Sequence, residues 1–344
     1  MIEIDGSEGE GGGQMVRSSL TLSMLTGKPV TLDNIRARRK NPGLQRQHLT
    51  AVRAAGQICG AGMLGASLGS SRLQFAPGPV QPGSYRFDIG TAGSASLVLQ
   101  TVLLPLMLAE GHSELALGGG THNPLAPPYE FFVHAYLPLL AQMGLHATVE
   151  LVRRGFYPAG GGELRAAASP AEELRDFELR ERGAELRHSA RIIVAKLPES
   201  VGQRESGVLK SKLCWKKEAV TIEEDHTSRG PGNAVLVMLE YERVTEVVVS
   251  FGEKGKRAEQ VADEAAEETL AYLASTAPVG PHLADQLLLP LGIAAARGHR
   301  GRFRTLPLTQ HSLTHIDILQ RFLDIAIVTK SEDDGSVTLE VGPS

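Results

Sequence analysis

SLVLQTVLLPLMLAEGHSELAL, Ser96 to Leu117, reads as an apolar helix, a break near Gly111 and a short strand. The same order recurs in RSSLTLSMLTGKPVTL, Arg17 to Leu32, and in LADQLLLPLGIAAARGHRGRFRT, Leu283 to Thr305. Each helix ends near a glycine, which takes the left-handed backbone that closes a helix. A second pattern, one helix followed by two strands, comes after each of these. It runs from Gln47 to Phe75 around LTAVRAAGQIC, from Tyr129 to Ala167 around FFVHAYLPLLAQMG, and from His311 to Val341, ending in DIAIVTK and SVTLEV. The first two copies are offset by about 80 residues. The expectation is an α/β (α+β) chain with a large domain of three repeated βαβαββ-like units. If they pack around a pseudo-threefold axis, the small-residue loops at equivalent places converge.

Between copies two and three the composition changes. Glu172 to Arg187 is charge-dense, and the strands ARIIVAKLP, NAVLVMLEY and TEVVVSFGE follow, then a polar helix from Arg257 to Leu273. This predicts a smaller inserted α+β domain over residues 181–275, which leaves the large domain discontinuous, 1–180 and 276–344. Pro278 and Gly280 mark the return.

With 344 residues, 22% charged and 42% hydrophobic, the chain fits a soluble globular protein of about two domains. The net charge of −4 means that binding to a nucleic acid has to come from a local patch. Cys59 and Cys214 suggest neither a disulfide framework nor a Cys-based zinc site. The N-terminus lacks the features of a signal peptide, and the apolar run Leu97–Ala109 is too short to span a bilayer. No membrane association and a cytoplasmic location are the expectations.

Five stretches carry candidate chemistry. LPLTQHSLTHIDILQRFL, Leu306 to Leu323, predicts an amphipathic helix capped by Thr309 or Ser312, with Leu313, Ile316, Leu319, Gln320 and Leu323 on one side. His311 then lies at the helix start, where free N–H groups can hold a phosphate and a neutral imidazole can attack phosphorus. His311 and His315 share a helix face, a spacing that can bind zinc, but the glutamate of H-E-x-x-H is absent and no third ligand is evident. Gly6 to Gln14, GSEGEGGGQ, is neither a P-loop nor a G-x-G-x-x-G motif; it offers close backbone approach and the carboxylates of Glu8 and Glu10, suited beside phosphates to Mg²⁺ or Mn²⁺. Arg36 to His48, RARRKNPGLQRQH, has five Lys or Arg and no acid, as a phosphate site requires. GTAGSAS, Gly90 to Ser96, and GGGTHNPLAPP, Gly118 to Pro128, are further small-residue loops.

Together these stretches resemble the RNA 3′-terminal phosphate cyclase family. Also similar are YRFDIGTAGSASLVLQTVLLP, RRGFYPAGGGE and STAPVGPHLADQLLLPL, so that the resemblance covers nearly the whole chain outside the insert. It implies an ATP-dependent, ligase-type enzyme that converts an RNA 3′-terminal phosphate to a 2′,3′-cyclic phosphate. His311 would be the nucleophile that attacks the α-phosphate of ATP, and the adenylate would pass from histidine to the RNA end. The neighbouring 2′-hydroxyl would then close the ring and expel AMP. The resemblance further implies that Glu10 binds Mg²⁺ or Mn²⁺. It places Gln100, Pro127, Asp285 and Gln286 around ATP, and Arg17, Arg36, Arg39, Gln47 and His48 around the RNA end. The partners implied are RNA with a 3′-terminal phosphate and ATP, with a homodimer left open. One departure is His315, where the family pattern has Asn. Two rivals share the architecture. One is a non-catalytic branch in ribosome maturation, which lacks the nucleophile. The other is a carboxyvinyl transferase, which uses no covalent histidine–AMP.

Overall fold

The computed structural model describes all residues, Met1–Ser344. Its first unit is β1 (Ile2–Asp5), α1 (Gly13–Thr26), β2 (Val30–Asp33), α2 (Arg46–Cys59), β3 (Gly62–Leu64) and β4 (Leu73–Ala76). The second is β5 (Ser84–Asp88), α3 (Ala95–Met107), β6 (Ser113–Gly119), a π-helical segment Phe131–Tyr136 running into α4 (Leu137–Gln142), β7 (Ala147–Arg153) and β8 (Gly162–Ala168). β9 (Phe177–Leu179) opens the third, which resumes with α7 (Pro281–Ala295), β14 (Gly301–Thr305), α8 (Gln310–Phe322), β15 (Ile325–Ser331) and β16 (Val337–Pro343). The three sheets have the same topology: β1-β2-β4-β3, β5-β6-β8-β7 and β9-β14-β16-β15. In each, the first pair is parallel and the others antiparallel. A parallel pair needs a crossover, which α1, α3 and α7 provide.

The repeat reaches into the helices. Pro105 in α3 and Pro290 in α7 each stand five residues after a polar side chain, Gln100 and Asp285. Proline has no N–H to give the carbonyl four residues back. In α3 that carbonyl, Thr101 O, instead lies 2.8 Å from the Thr21 hydroxyl of α1, a buried bond that locks the two helices together. α1 also packs on α2 and α8, and α8 on α7. One core of 66 buried residues runs through all three units.

Between β9 and α7 lie β10 (Glu185–Ala195), α5 (Glu199–Leu213), β11 (Val220–Asp225), β12 (Gly232–Tyr241), β13 (Thr245–Phe251) and α6 (Ala258–Ala274), with sheet order β11-β10-β12-β13. Its central strands read as unbroken apolar runs because both faces are covered. Ile192, Val194, Val235 and Val237 join a core with Leu209 and Ala262 of α5 and α6, while Ile193, Ala195, Ala234 and Leu236 pack with Phe156. The sequence reading missed α5 and β11.

Two groups, one half-buried and one buried, tie this segment to the start of α7. The Arg182 guanidinium lies 3.6 Å from the Tyr272 ring centroid and donates to Ala277 O at 2.8 Å and Tyr272 O at 2.6 Å. Glu246, 3% exposed, accepts the Gly280 N–H at 2.9 Å. Gly280 is the N-cap of α7, so the carboxyl takes the N-cap N–H that the acceptor of a capping box would take. Burial, with Glu268 nearby, raises the Glu246 pKa from 4.5 to about 8 despite the Gly280 bond. The folded chain therefore holds this proton across pH 4.5–8 where the unfolded chain loses it. Stability from this group is full below pH 4.5 and lost as pH rises through about 8. Urea midpoints of wild type and Glu246→Gln at pH 5 and pH 8 check this: the wild type should lose ground to the variant at pH 8, and an equal gap at both would refute it.

Candidate active site

α8 starts at Gln310 because the Thr309 side chain accepts from Ser312 N, at 3.2 Å. Thr309 is thus the cap, and His311 falls in the first turn. The buried side of α8 is only partly the expected one: Leu319 and Leu323 are buried as expected. His315, Ile318, Leu319 and Phe322 face the core, whereas Leu313 is 44% exposed and Gln320 is exposed. The large side chains of Ile318 and Phe322 decide the rotation, and with it His315 turns inward.

Four helices converge on Asp285. Its Oδ1 accepts from Gln14 Nε2 of α1 at 2.7 Å and lies 3.0 Å from His311 Nδ1 and 3.3 Å from His315 Nδ1, both on α8. Its Oδ2 accepts from Gln286 Nε2 at 3.1 Å, and Gln286 in turn accepts from Gln100 of α3. Asp285 is 3% exposed. Burial alone would raise its pKa, but the two histidines outweigh that and hold the carboxyl below its ordinary range. An ionised carboxylate only accepts, so each histidine can bond to it only through a protonated Nδ1. His315 Nε2 then accepts from the Ser18 hydroxyl at 3.0 Å, and His311 Nε2 is left bare. His315 thereby supplies one donor and one acceptor, as an amide would. No group of three or more His, Cys, Asp or Glu side chains is placed to hold a metal ion, and both histidines face Asp285 Oδ1 instead.

A cavity of about 40 Å³ opens beside this cluster, lined by Gln14, Arg17, Ser18, Gln100, Tyr136 and Gln286 among others. Burial and the Asp285 charge push the Tyr136 hydroxyl pKa up, so it stays a neutral group. A larger concavity, about 500 Å³, lies on the outer face of the second sheet around Arg86, Glu114, Glu150 and Arg165, away from these groups.

The Gly-rich stretch brings the second set of residues to the same helix. α1 has no side-chain cap and no acid in its first turn, so its free N–H groups remain available to an anion. Gly13 admits His48: a Cβ there would lie 2.3 Å from His48 Nε2 and 3.2 Å from an Arg17 nitrogen. Gly9, at φ +53°, lets the loop meet α8, where Glu10 N donates to Thr314 Oγ1 at 3.0 Å. Burial, then Arg17 and Arg36, lowers the His48 pKa to about 3, so the ring is neutral. Its Nδ1 accepts from Gln45 N at 3.2 Å, which leaves an Nε2–H donor facing Gly13. Burial brings Arg17 down to about 10, still a cation at neutral pH.

The remaining expected residues divide. Arg39 pairs with Glu10. Glu8 instead pairs with Arg321 at 2.8 Å, outside the cluster. Arg36 braces its own loop, donating to Asn41 O at 2.6 Å and Gly43 O at 3.0 Å. Gln47 accepts from Ser94 N at 2.9 Å, tying the basic loop to the start of α3. Pro127 is half-buried in the loop Gly118–Pro128, whose base is pinned by the fully buried pair His122–Glu130 at 3.0 Å. Sequence reasoning missed Gln14, Ser18, Tyr136 and Thr314. Only Gln14 carried a signal, as the first polar residue after the glycines.

The chain matches the family described as RTC: RNA 3′-terminal phosphate cyclase over residues 8–329. It is 47% identical to the RNA 3′-terminal phosphate cyclase of Salmonella enteritidis over 335 residues, 97% of each chain. It is 48% identical to that of Ralstonia nicotianae over 337 residues, 98% of this chain and 95% of the relative. It is 46% identical to that of Koribacter versatilis over 334 residues, 97% and 93%. With the matched region extending from the Gly-rich stretch through the His311 helix into β15, this chain belongs to the RNA 3′-terminal phosphate cyclase family.

Proposed function

We propose that the chain is an ATP-dependent RNA 3′-terminal phosphate cyclase in which His311 carries AMP. The observation that supports this most is the Asp285–His311 pair at the start of α8: an ionised buried carboxylate facing Nδ1 favours the proton there and leaves Nε2 as a nucleophile beside a helix N-terminus. Nε2 bonds to the α-phosphorus of ATP, and the bond from that phosphorus to the bridging oxygen breaks, releasing pyrophosphate. The RNA 3′-phosphate oxygen then attacks the same phosphorus and frees the imidazole. Finally the 2′-hydroxyl attacks the 3′-phosphorus, loses its proton and expels AMP. The last step is intramolecular and gains from proximity.

Gln100 and Gln286 join the nucleotide side of this reading, and Pro127 lies on the loop assigned to it. Arg17, Arg39 and the His48 Nε2–H offer donors to the terminal phosphate; Arg36 shapes the loop that holds them. Glu10 is the residue that would hold Mg²⁺ or Mn²⁺, with the other ligands coming from phosphates and water. The fit is of that shared kind: its carboxylate lies against the first turn of α1, within 2.0 Å of where a Gly12 Cβ would be, and is balanced by Arg39. Such an ion would offset the charge of the triphosphate. No helix is long and apolar enough to cross a membrane. The two free thiols, one of them exposed, suit a reducing cytoplasm.

Incubation with α-labelled ATP and metal should label the protein, and His311→Ala should abolish labelling. The link should be lost in acid and survive alkali and neutral hydroxylamine, as a phosphoramidate does; retention in acid would reject histidine. Asp285→Asn keeps the shape but presents no carboxylate to fix the tautomer, so the labelling rate should fall on the order of 10³-fold. Less than a tenfold loss would mean that Asp285 does not orient the nucleophile. Arg39→Ala should slow cyclisation of a 3′-phosphate RNA more than self-adenylylation, measured as two separate half-reactions. Equal loss would assign the loop to ATP.

A further inference from the structure

RRGFYPAGGGE, Arg153 to Glu163, lies outside the cluster around Asp285 and His48. It forms a loop between β7 and β8, and it lies between the proposed RNA-end site and the inserted segment. On one side Gln47, beside His48, accepts from Ser94 N at 2.9 Å and fits against Gly93. The next residue down, Ala92, meets the loop: a Cβ at Gly160 would lie 2.7 Å from Ala92 Cα. On the other side Gly161 lies against Arg229, whose Cδ would be 2.3 Å from a Cβ, and Gly230 packs on Ala159. Lys196 Nζ donates to Arg229 O at 3.0 Å. Contacts therefore run without a break from the basic loop, over residues 91–94 and 157–161, to the turn 226–232 of the insert.

The chemistry of this path is one-sided. Lys196 and Arg229 are exposed and make no ion pair, and Arg153 is held by Gly161 O at 2.6 Å with no carboxylate partner. The carboxylates nearby are committed elsewhere. Glu223 takes Arg154 at 2.5 Å and Arg191 at 3.6 Å, Glu224 faces His226 at 3.6 Å, and Asp225 accepts from Thr227 and Ser228. At the tip of the loop Tyr157 is 69% exposed. Free cations interleaved with an exposed aromatic side chain, continuous with a phosphate site, suit a single strand: the cations follow its backbone and the ring stacks on a base. We propose that Tyr157, Lys196 and Arg229 form a track for the RNA chain upstream of its 3′ end, so that the insert holds the body of the substrate while the repeats act on its terminus. This rests on the proposed function above, since that reading sets which end of the strand lies near His48.

The test uses full-length protein and two substrates with the same 3′-terminal sequence and 3′-phosphate, a dinucleotide and a 20-mer RNA. Binding of the fluorescein-labelled 20-mer is read by anisotropy without ATP, over a range of salt concentrations. In Tyr157→Ala/Lys196→Glu/Arg229→Glu the Kd for the 20-mer should rise tenfold or more and the salt dependence should become shallower. The KM of the dinucleotide and self-adenylylation with ATP alone should change less than twofold. The milder Lys196→Ala/Arg229→Ala, which leaves the loop intact, should show the same pattern at smaller size. An unchanged Kd for the 20-mer in both variants would overturn the track. So would an equal loss for the dinucleotide, which would place these residues at the terminus. Because binding is read without catalysis, failure of wild type to adenylylate itself would refute the proposed function while the anisotropy still decides the track.

Discussion

The site depends on one buried carboxylate. Asp285 receives donors from α1, α7 and α8 together, and through Gln286 it reaches α3. A buried anion is costly unless each lone pair is used. The arrangement that satisfies Asp285 therefore fixes three things at once: the angle at which the helices meet, the tautomer of His311 and the tautomer of His315. The proposed nucleophile and the core share this constraint, and the candidate site lies where units of the repeat touch rather than within one of them.

Much of this was legible because the repeat is written in side-chain periodicity. The crossovers α3 and α7 are apolar on nearly every side, α1 is buried on nearly every side, and the proline inside α3 and inside α7 repeats at the same distance from a polar residue. The basic loop and the His311 helix were visible as charge without acids and as a capped start. What escaped has physical reasons. α5 buries Gly202, Glu205, Ser206, Leu209 and Leu213, so only two of its buried positions carry an apolar side chain and its period is silent. Gly202 is needed there because a Cβ would lie 2.9 Å from Ile222 Cγ2. β11 is an edge strand with Val220 its one buried apolar residue. The face of α8 was misjudged because Leu313 and Gln320 were counted on it while Ile318 and Phe322, which take core positions, were not. Gln14 and Ser18 look like ordinary polar residues until α8 is brought against them.

The inserted segment is more than an appendage on this fold. Arg182 and Glu246 hold the two crossings and the cap of α7, five residues before Asp285. The turn 226–232 meets the loop 157–161 on the opposite side. The same unit thus supports the helix that carries Asp285 and, with Lys196 and Arg229, adds the cations of the proposed track on its other side. Tight mutual packing at Gly161, Gly230 and Gly232 makes that second contact a fixed one.

The central claim is that Asp285 holds the Nδ1 proton of His311 and leaves Nε2 bare. Nitrogen-15 NMR of histidine-labelled protein at neutral pH reads this directly. The expected result is a His311 signal, assigned by its loss in His311→Ala, with a protonated Nδ1 and an unprotonated Nε2, and a shift of the proton to Nε2 or an exchange between the two in Asp285→Asn. A wild-type His311 with its proton on Nε2 and a bare Nδ1 would contradict the claim, since the atom proposed to attack ATP would then have no lone pair.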